Sequence, residues 1–409
     1  MNCFHIALII FLNIDIFLSL ESQSLDESLY ATTWSTSNVK TLSKNFPPIN
    51  LSDNSLRQIF KVSTSGEYIR VKFSNRFGKT ILKIRKVIIS DSVSQGTSEI
   101  NIDTIKVLTF SGKEKINIEP GSEIYSDTIE YNLKALSEVA ISIYFGIVPT
   151  DLTGHGNSIT NSFIEEGDKL INSIFSSENK TPHWYFVESI EVVSNNIPKK
   201  TIVCFGDSIT EGVGSTTDGH NRWPDQFASN LQENRKYNNI AIANAGIGGN
   251  RICDQGVERF EHDVLEIKGI KYIIVLYGIN DMIHKNTNSS EIISAYEKII
   301  SKAHDNKLFI FAGTILPAGK YLTWSEDNEK NRNEVNEWIR NTRKEEGGFD
   351  DYFDFDKYLR DEKNQTNLAD IYDSGDGLHP SKEGHRAIAN VIIPLIIWIY
   401  LLKSINKFY

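Results

Sequence analysis

The sequence predicts two unlike halves: a β-sandwich-like domain over residues 28–198, and an α/β domain over 199–409 whose parallel sheet is covered by helices on both faces. Three observations predict this. Before Lys200, short stretches alternate apolar and polar residues with period two, as half-buried strands do. After it, short apolar runs alternate with longer helical stretches, the pattern of βαβ units. No internal repeat or low-complexity linker interrupts either half.

In the first half, Tyr68 to Ser74, Lys106 to Phe110, Val139 to Phe145 and Trp184 to Val192 read as strands, with Gly66, Gly78, Gly112 and Gly121 marking turns. In the second, Thr201 to Phe205 is a buried strand, and Trp223 to Leu231 a helix. A strand at Ile240 to Ala243 precedes a helix from Val257 to Ile267. A strand from Tyr272 to Tyr277 precedes a helix from Glu291 to His304, and a strand from Leu308 to Ala312 precedes a helix from Asn328 to Lys344. A short strand near Tyr352 to Phe355 and a last helix from about Lys382 complete the series.

The chain has 409 residues, 40% of them hydrophobic, which suits two globular domains and excludes a disordered chain, a collagen or a coiled coil. Lys and Arg number 43 against 53 Asp and Glu, a net charge of −10, which argues against a nucleic-acid partner. Three cysteines exclude a disulfide scaffold, and Cys204 and Cys253 are expected as free thiols, a bridge between them being the alternative. The apolar run Ile6 to Leu20 resembles a secretory signal peptide over residues 1–22, although no Lys or Arg precedes it and Asn13 and Asp15 interrupt it; a secreted protein is expected. The second apolar run, Val391 to Leu402, contains Pro394 and is short for a membrane span. It is expected to be a last helix packed on the domain, a membrane contact being the alternative. Asn-x-Ser/Thr sites at Asn50, Asn179, Asn288 and Asn364 do not decide the compartment in a chain so rich in Asn.

In parallel sheets, ligands bind beyond the carboxyl ends of the strands. Four polar loops are expected there: Gly206-Asp207-Ser208-Ile209-Thr210, Asn244 to Asn250, Gly278 to Asp281, and Asp373 to Pro380. Ester hydrolysis by serine needs a hydroxyl nucleophile, an imidazole base, a carboxylate to orient the base, and donors for the oxyanion. Ser208 sits where a strand gives way to a helix. His379 precedes Pro380, which favours an extended backbone at the histidine. Asp376 lies three residues before His379, so one loop presents both; Asp373, six residues before it, is the competitor. The oxyanion donors would be the N–H groups of Ser208 and of Gly248 or Gly249, with the Asn280 side-chain amide.

Each piece alone has an ordinary structural reading. Gly-Asp-Ser is usually a turn, the run Gly246 to Gly249 a tight loop, Asn280 an Asx-turn residue, and Asp-x-x-His a solvated pair. The four in this order, each after a strand, are much harder to obtain by chance. Asp207 and Asp281 are expected to fix loops by accepting backbone N–H groups, and His304 to cap a helix end. Arg251 is open between a substrate contact and a loop ion pair. The Gly206 to Gly214 stretch fits neither G-x-G-x-x-G nor a phosphate loop. Thr210 breaks G-x-S-x-G, and no zinc spacing occurs.

These residues resemble the SGNH hydrolases, also called the GDSL esterase/lipase family. Ser208, Gly249, Asn280 and His379 match its four letters, and Asp376 its triad acid. The likeness is closer to the xylanolytic-esterase-like carbohydrate esterases, through His220 to Asp225, Asn244 to Ile252, Gly278 to Asp281, Gly313 to Pro317, Asn336 to Arg340 and Ser374 to Pro380. It covers about residues 200–392. Upstream, Leu56 to Ile59, Arg70 to Gly78 and Leu108 to Gly112 resemble that branch's β-rich accessory domain. The resemblance selects Gly249, the last glycine of Gly246 to Gly249, for the oxyanion. It implies a flavodoxin-like three-layer α/β/α domain, no metal and no cofactor. The implied reaction is removal of an O-acetyl group from an acylated carbohydrate such as xylan. Three other functions share the apparatus or lack its chemistry: an acyltransferase to sugar, a lipase or thioesterase, and a carbohydrate-binding protein with a silent triad.

Overall fold

The structure is a computed structural model that describes residues 26–405 apart from 177, 195–198, 235–236 and 286; the side chains of 395–405 are also outside the description. The apolar run read as a signal peptide lies outside the described residues. Every paired strand from Ala31 to Val193 is antiparallel, and every one from Lys200 to Phe353 is parallel.

The antiparallel half contains a five-stranded and a seven-stranded sheet, with a three-stranded sheet beside them. The central strand of the five-stranded sheet is Gly66–Ser74. Its Ile69, Val71 and Phe73 are fully buried against Leu56, Phe60, Val139, Ile141 and Ile143 of the seven-stranded sheet. This is the inward face that period-two alternation requires. The alternate residues, Arg70 and Lys72, lie on the other face beside Glu191 and Glu188 of the neighbouring strand, with Arg70 Nε 2.7 Å from Glu191 and Lys72 Nζ 2.7 Å from Glu188.

The parallel sheet has five strands: Lys200–Gly206, Ile240–Gly246, Ile270–Leu276, Phe309–Gly313 and Asp351–Phe353. Numbered in chain order, their spatial order is 2-1-3-4-5, which is the flavodoxin-like doubly wound order. The first crossover therefore runs one way across the sheet and the later ones the other way. Right-handed crossovers then place the helix Trp223–Glu233 on one face and Ser289–Asp305 and Glu326–Asn341 on the opposite face. The packing agrees: Trp223–Glu233 lies against the last helix, Lys382–Ile405, and Ser289–Asp305 against Glu326–Asn341. Ile202 to Phe205 are buried on both sides. Among the described residues, no helix is long and apolar enough to cross a membrane.

Some elements differ from the sequence expectation. The helix expected from Val257 is split into π-helical turns at Ile252–Gly256 and Glu261–Leu265 around Val257–Phe260. Asp281 accepts the Ile252 and Cys253 N–H groups at 2.9 Å each, so winding starts five residues early. The helix expected to start at Ser208 is a single turn, Ser208–Glu211, and short helices at Ile279–Lys285 and Phe355–Leu359 had no periodic pattern long enough to announce them. Cys204 and Cys253 are free thiols.

The two halves meet along the edge strand Ile240–Gly246, over which Ala31–Ser35 packs. Ser63 Oγ accepts the Ile242 N–H at 2.9 Å and lies 2.6 Å from Thr33 O and 3.1 Å from Ile242 O, either of which can take its proton. Ser35 Oγ donates to Asn244 O at 3.3 Å. Ser63→Ala leaves a buried strand N–H without its acceptor. A loss of about 1–3 kcal/mol in urea unfolding is expected, whereas a change within error would show that water satisfies this edge.

Candidate active site

Ser208 opens the one-turn helix Ser208–Glu211 directly after the strand Lys200–Gly206. Asp207 caps that turn, its Oδ1 accepting the Ile209 N–H at 3.0 Å. The Ser208 N–H is one of the donors a helix start leaves unpaired. The loop after the second strand approaches this turn closely. A Cβ on Gly246 would stand 2.1 Å from Glu211 N, so only glycine fits there. Gly249 has φ +71°, a left-handed conformation that glycine adopts without strain.

His379 reaches Ser208 from the last loop, its Nε2 2.9 Å from Ser208 Oγ. Its Nδ1 lies 2.6 Å from Asp376 Oδ2. Because the carboxylate accepts the Nδ1 proton, Nε2 presents its lone pair to the serine hydroxyl. Asp376 Oδ1 accepts the Leu378 and His379 N–H groups at 2.9 and 2.8 Å, which fixes the loop. Burial acts to raise the Asp376 pKa, but hydrogen bonds from the His379 side chain and these two amides outweigh it and hold the carboxyl below its ordinary value. Asp373, the competitor, spends its Oδ1 on the N–H groups of Gly375 and Gly377.

Asn280 lies in the first turn of Ile279–Lys285, buried, with Nδ2 3.2 Å from Asn250 O. Ser208, Gly249, Asn280 and His379 line one cleft of about 540 Å³. The five predicted site residues thus come together, four in the cleft wall and Asp376 behind His379. The opposite wall is built by the antiparallel half, with Lys40, Thr41, Asn45, His155 and Asn157.

The neighbouring polar residues have structural partners. Asp281 is the acceptor at the π-helical turn. Arg251 pairs with Asp254 at 2.7 Å, which decides its open reading for a loop ion pair. His304, in the last turn of its helix, lies 3.0 Å from Asp350 Oδ2. Among the described residues, one group, Glu123, His262 and Glu266, brings metal-ligand atoms together. It lies at the seam, where the Lys72 ammonium stands 2.6 Å from Glu123.

Sequence reasoning missed Arg259. Its guanidinium is buried and donates to Gly206 O at 2.9 Å and Ala245 O at 2.8 Å, at the ends of the first two strands. It also reaches Asn250 Oδ1 at 2.9 Å, Ser37 Oγ at 3.0 Å and Asp263 Oδ2 at 2.8 Å. Only the pair Arg259-x-x-x-Asp263, at helical spacing, could have hinted at it. His155 and Asn157 were missed too, since nothing local marks them.

A doubly wound α/β sheet with serine, histidine and aspartate at the carboxyl ends of its strands defines the class of serine hydrolases that work on such sheets. Residues 204–387 match the model of the GDSL-like lipase/acylhydrolase family, and the α/β half is a GDSL (SGNH) hydrolase domain. Among solved structures, a GDSL-like lipase from Bacteroides thetaiotaomicron is 20% identical; the match covers 49% of this chain and 89% of that one, with a TM-score of 0.40. A lipolytic G-D-S-L family member from Veillonella parvula is 21% identical, over 48% of this chain and 97% of that one, with a TM-score of 0.38. The acetyl xylan esterase AlAXEase is 22% identical, over 48% and 99%, with a TM-score of 0.38. No curated protein matches the chain.

Burial pushes Asp207 up to about 7, with Asp281 and Glu211 adding to the rise while the Ile209 N–H and Arg259 oppose it. An acid whose folded pKa is raised holds its proton in the folded state after the unfolded chain has lost it. Stability therefore falls as pH rises from about 4 to about 7. Asp207→Asn keeps the acceptor for Ile209 and removes this cost. Its melting temperature relative to wild type is expected to climb between pH 4 and pH 8; a flat difference would mean Asp207 is ionised throughout.

Proposed function

We propose that the protein is a serine esterase that removes short acyl groups, O-acetyl above all, from a carbohydrate. The observation that carries this is the continuous line from Ser208 Oγ through His379 to Asp376, at 2.9 and 2.6 Å, open to a cleft. His379 Nε2 takes the hydroxyl proton as Ser208 attacks the ester carbonyl. Asp376 fixes the imidazole and stabilises the imidazolium. The N–H groups of Ser208 and Gly249 and the Asn280 amide receive the oxyanion. The tetrahedral intermediate collapses as His379 protonates the leaving sugar oxygen. Water then cleaves the acyl-enzyme, with His379 as base again.

The sugar and the acetyl group rest on resemblance to carbohydrate esterases. Lys40, Thr41 and Asn45 offer polar groups to a hydroxyl-rich leaving group, beside the apolar Val39 and Leu42. On this reading residues 28–198 form an accessory domain to the catalytic domain 199–409. Secretion is proposed on the run Ile6 to Leu20.

Ester hydrolysis by wild type and Ser208→Ala tests the reading, followed as p-nitrophenol release from p-nitrophenyl acetate and p-nitrophenyl octanoate and as acetate release from acetylated xylan. Release from xylan is expected, and is lost in Ser208→Ala. Turnover of octanoate alone would indicate a lipase, and no hydrolysis by the folded protein would sink the esterase reading. Asn280→Ala is expected to lower turnover ~10²–10³-fold; a drop below about tenfold would remove Asn280 from the oxyanion site.

A further inference from the structure

We propose that the β-rich half is a working part of the ester site: its His155 and Asn157 are positioning residues that act on the reacting groups through Glu211, an inference that rests on Ser208 being the nucleophile. Glu211 closes the one-turn helix that Ser208 opens. Its side chain is buried, 6% exposed for the residue. Both carboxylate oxygens are held by side chains of the other half. Oε1 is 3.0 Å from His155 Nε2, and Oε2 accepts from Asn157 Nδ2 at 2.9 Å. His155 is itself anchored, with Nδ1 2.9 Å from Ser37 O. Both ring nitrogens face oxygen acceptors, so the imidazole cannot rotate away without losing a buried partner.

Glu211 also touches the oxyanion loop. A Cβ on Gly248 would stand 2.7 Å from Glu211 Oε2, and one on Gly246 would stand 2.1 Å from Glu211 N. The Glu211 carboxylate therefore fills the space between the turn carrying Ser208 and the loop carrying Gly249. It sets the separation of the two backbone donors, and an error of about 1 Å there costs as much as 10²-fold in rate. Among the described residues, the side-chain clamp on the Glu211 carboxylate comes from residues 155 and 157, more than fifty positions away in sequence. Removing a clamp displaces the donors without touching the triad, so turnover should suffer more than substrate affinity.

The test is Asn157→Asp in the full chain. It keeps the size of the side chain and sets a second carboxylate against Glu211. At pH 8, kcat on p-nitrophenyl acetate is expected to fall at least tenfold while KM stays within threefold. The ratio of variant to wild-type kcat should recover toward one as pH falls from 8 to 5, because the carboxyl pair then shares a proton and bonds again. The other charged groups near Glu211 are His155 and Asp207, with Lys61, Arg222 and Asp225 around the small cavity behind it. All are common to both proteins; His155, in direct contact with Glu211, titrates together with the carboxyl pair, so the pH profile reports the cluster. A kcat within twofold of wild type at pH 8, or a ratio that does not change with pH, overturns the proposal. His155→Gln, which keeps an N–H for Glu211, should retain most of kcat, and His155→Phe should not. Equal values for the two overturn it as well, and this pair decides if Asn157→Asp does not fold. Wild type that cleaves no ester overturns the nucleophile reading itself, whereas an active wild type with indifferent variants overturns only the clamp.

Discussion

The site hangs on one buried cation. Arg259 carries its charge away from water, which costs several kcal/mol unless a counter-charge and acceptors replace the lost hydration. Asp263 supplies the charge at 2.8 Å. The carbonyls of Gly206 and Ala245 supply acceptors, and these end the strands from which the serine loop and the glycine loop depart. Neither loop can move alone without stranding part of the guanidinium. Asn250, whose carbonyl receives the Asn280 amide, is held by the same group through its side chain. The three loops that leave strand ends are thereby fixed in one frame; His379 and Asp376 come in on a segment that follows not the last strand, as the sequence suggested, but the helix Phe355–Leu359 after it.

The same cation joins the two halves, since Ser37 belongs to the antiparallel half and accepts from Arg259. Ser37 O is in turn the anchor of His155. A short path of hydrogen bonds thus runs from the frame of the hydrolase domain into the β-rich half and back to Glu211. The cleft follows the same logic, with reacting groups on one wall and Lys40 to Asn45 on the other.

Much of this was legible in the sequence, for particular reasons. Asp376 and His379 share one loop, so spacing alone pairs them. Ser208, Gly249 and Asn280 each follow an apolar strand, and the 2-1-3-4-5 order brings those strand ends together. Gly249 over Gly248 and the flavodoxin-like layering came from resemblance rather than from the residues. What stayed hidden is long-range. Glu211 meets residues 54 and 56 positions upstream, and Arg259 reaches Ser37 across 222. No local pattern encodes such meetings. The first π-helical turn was hidden for the same reason, because Asp281, 28 and 29 positions downstream, provides its start.

The edge strand Ile240–Gly246 has a second consequence. An uncovered edge offers a row of free N–H and C=O groups to any passing strand, which makes it a template for aggregation. Here Ser63 and Ser35 occupy that row from the antiparallel half. The seam between the halves therefore also protects solubility. An α/β half made on its own would present Ile240–Gly246 to a second copy of itself, and trimming the chain toward a minimal hydrolase would uncover an edge that can self-pair.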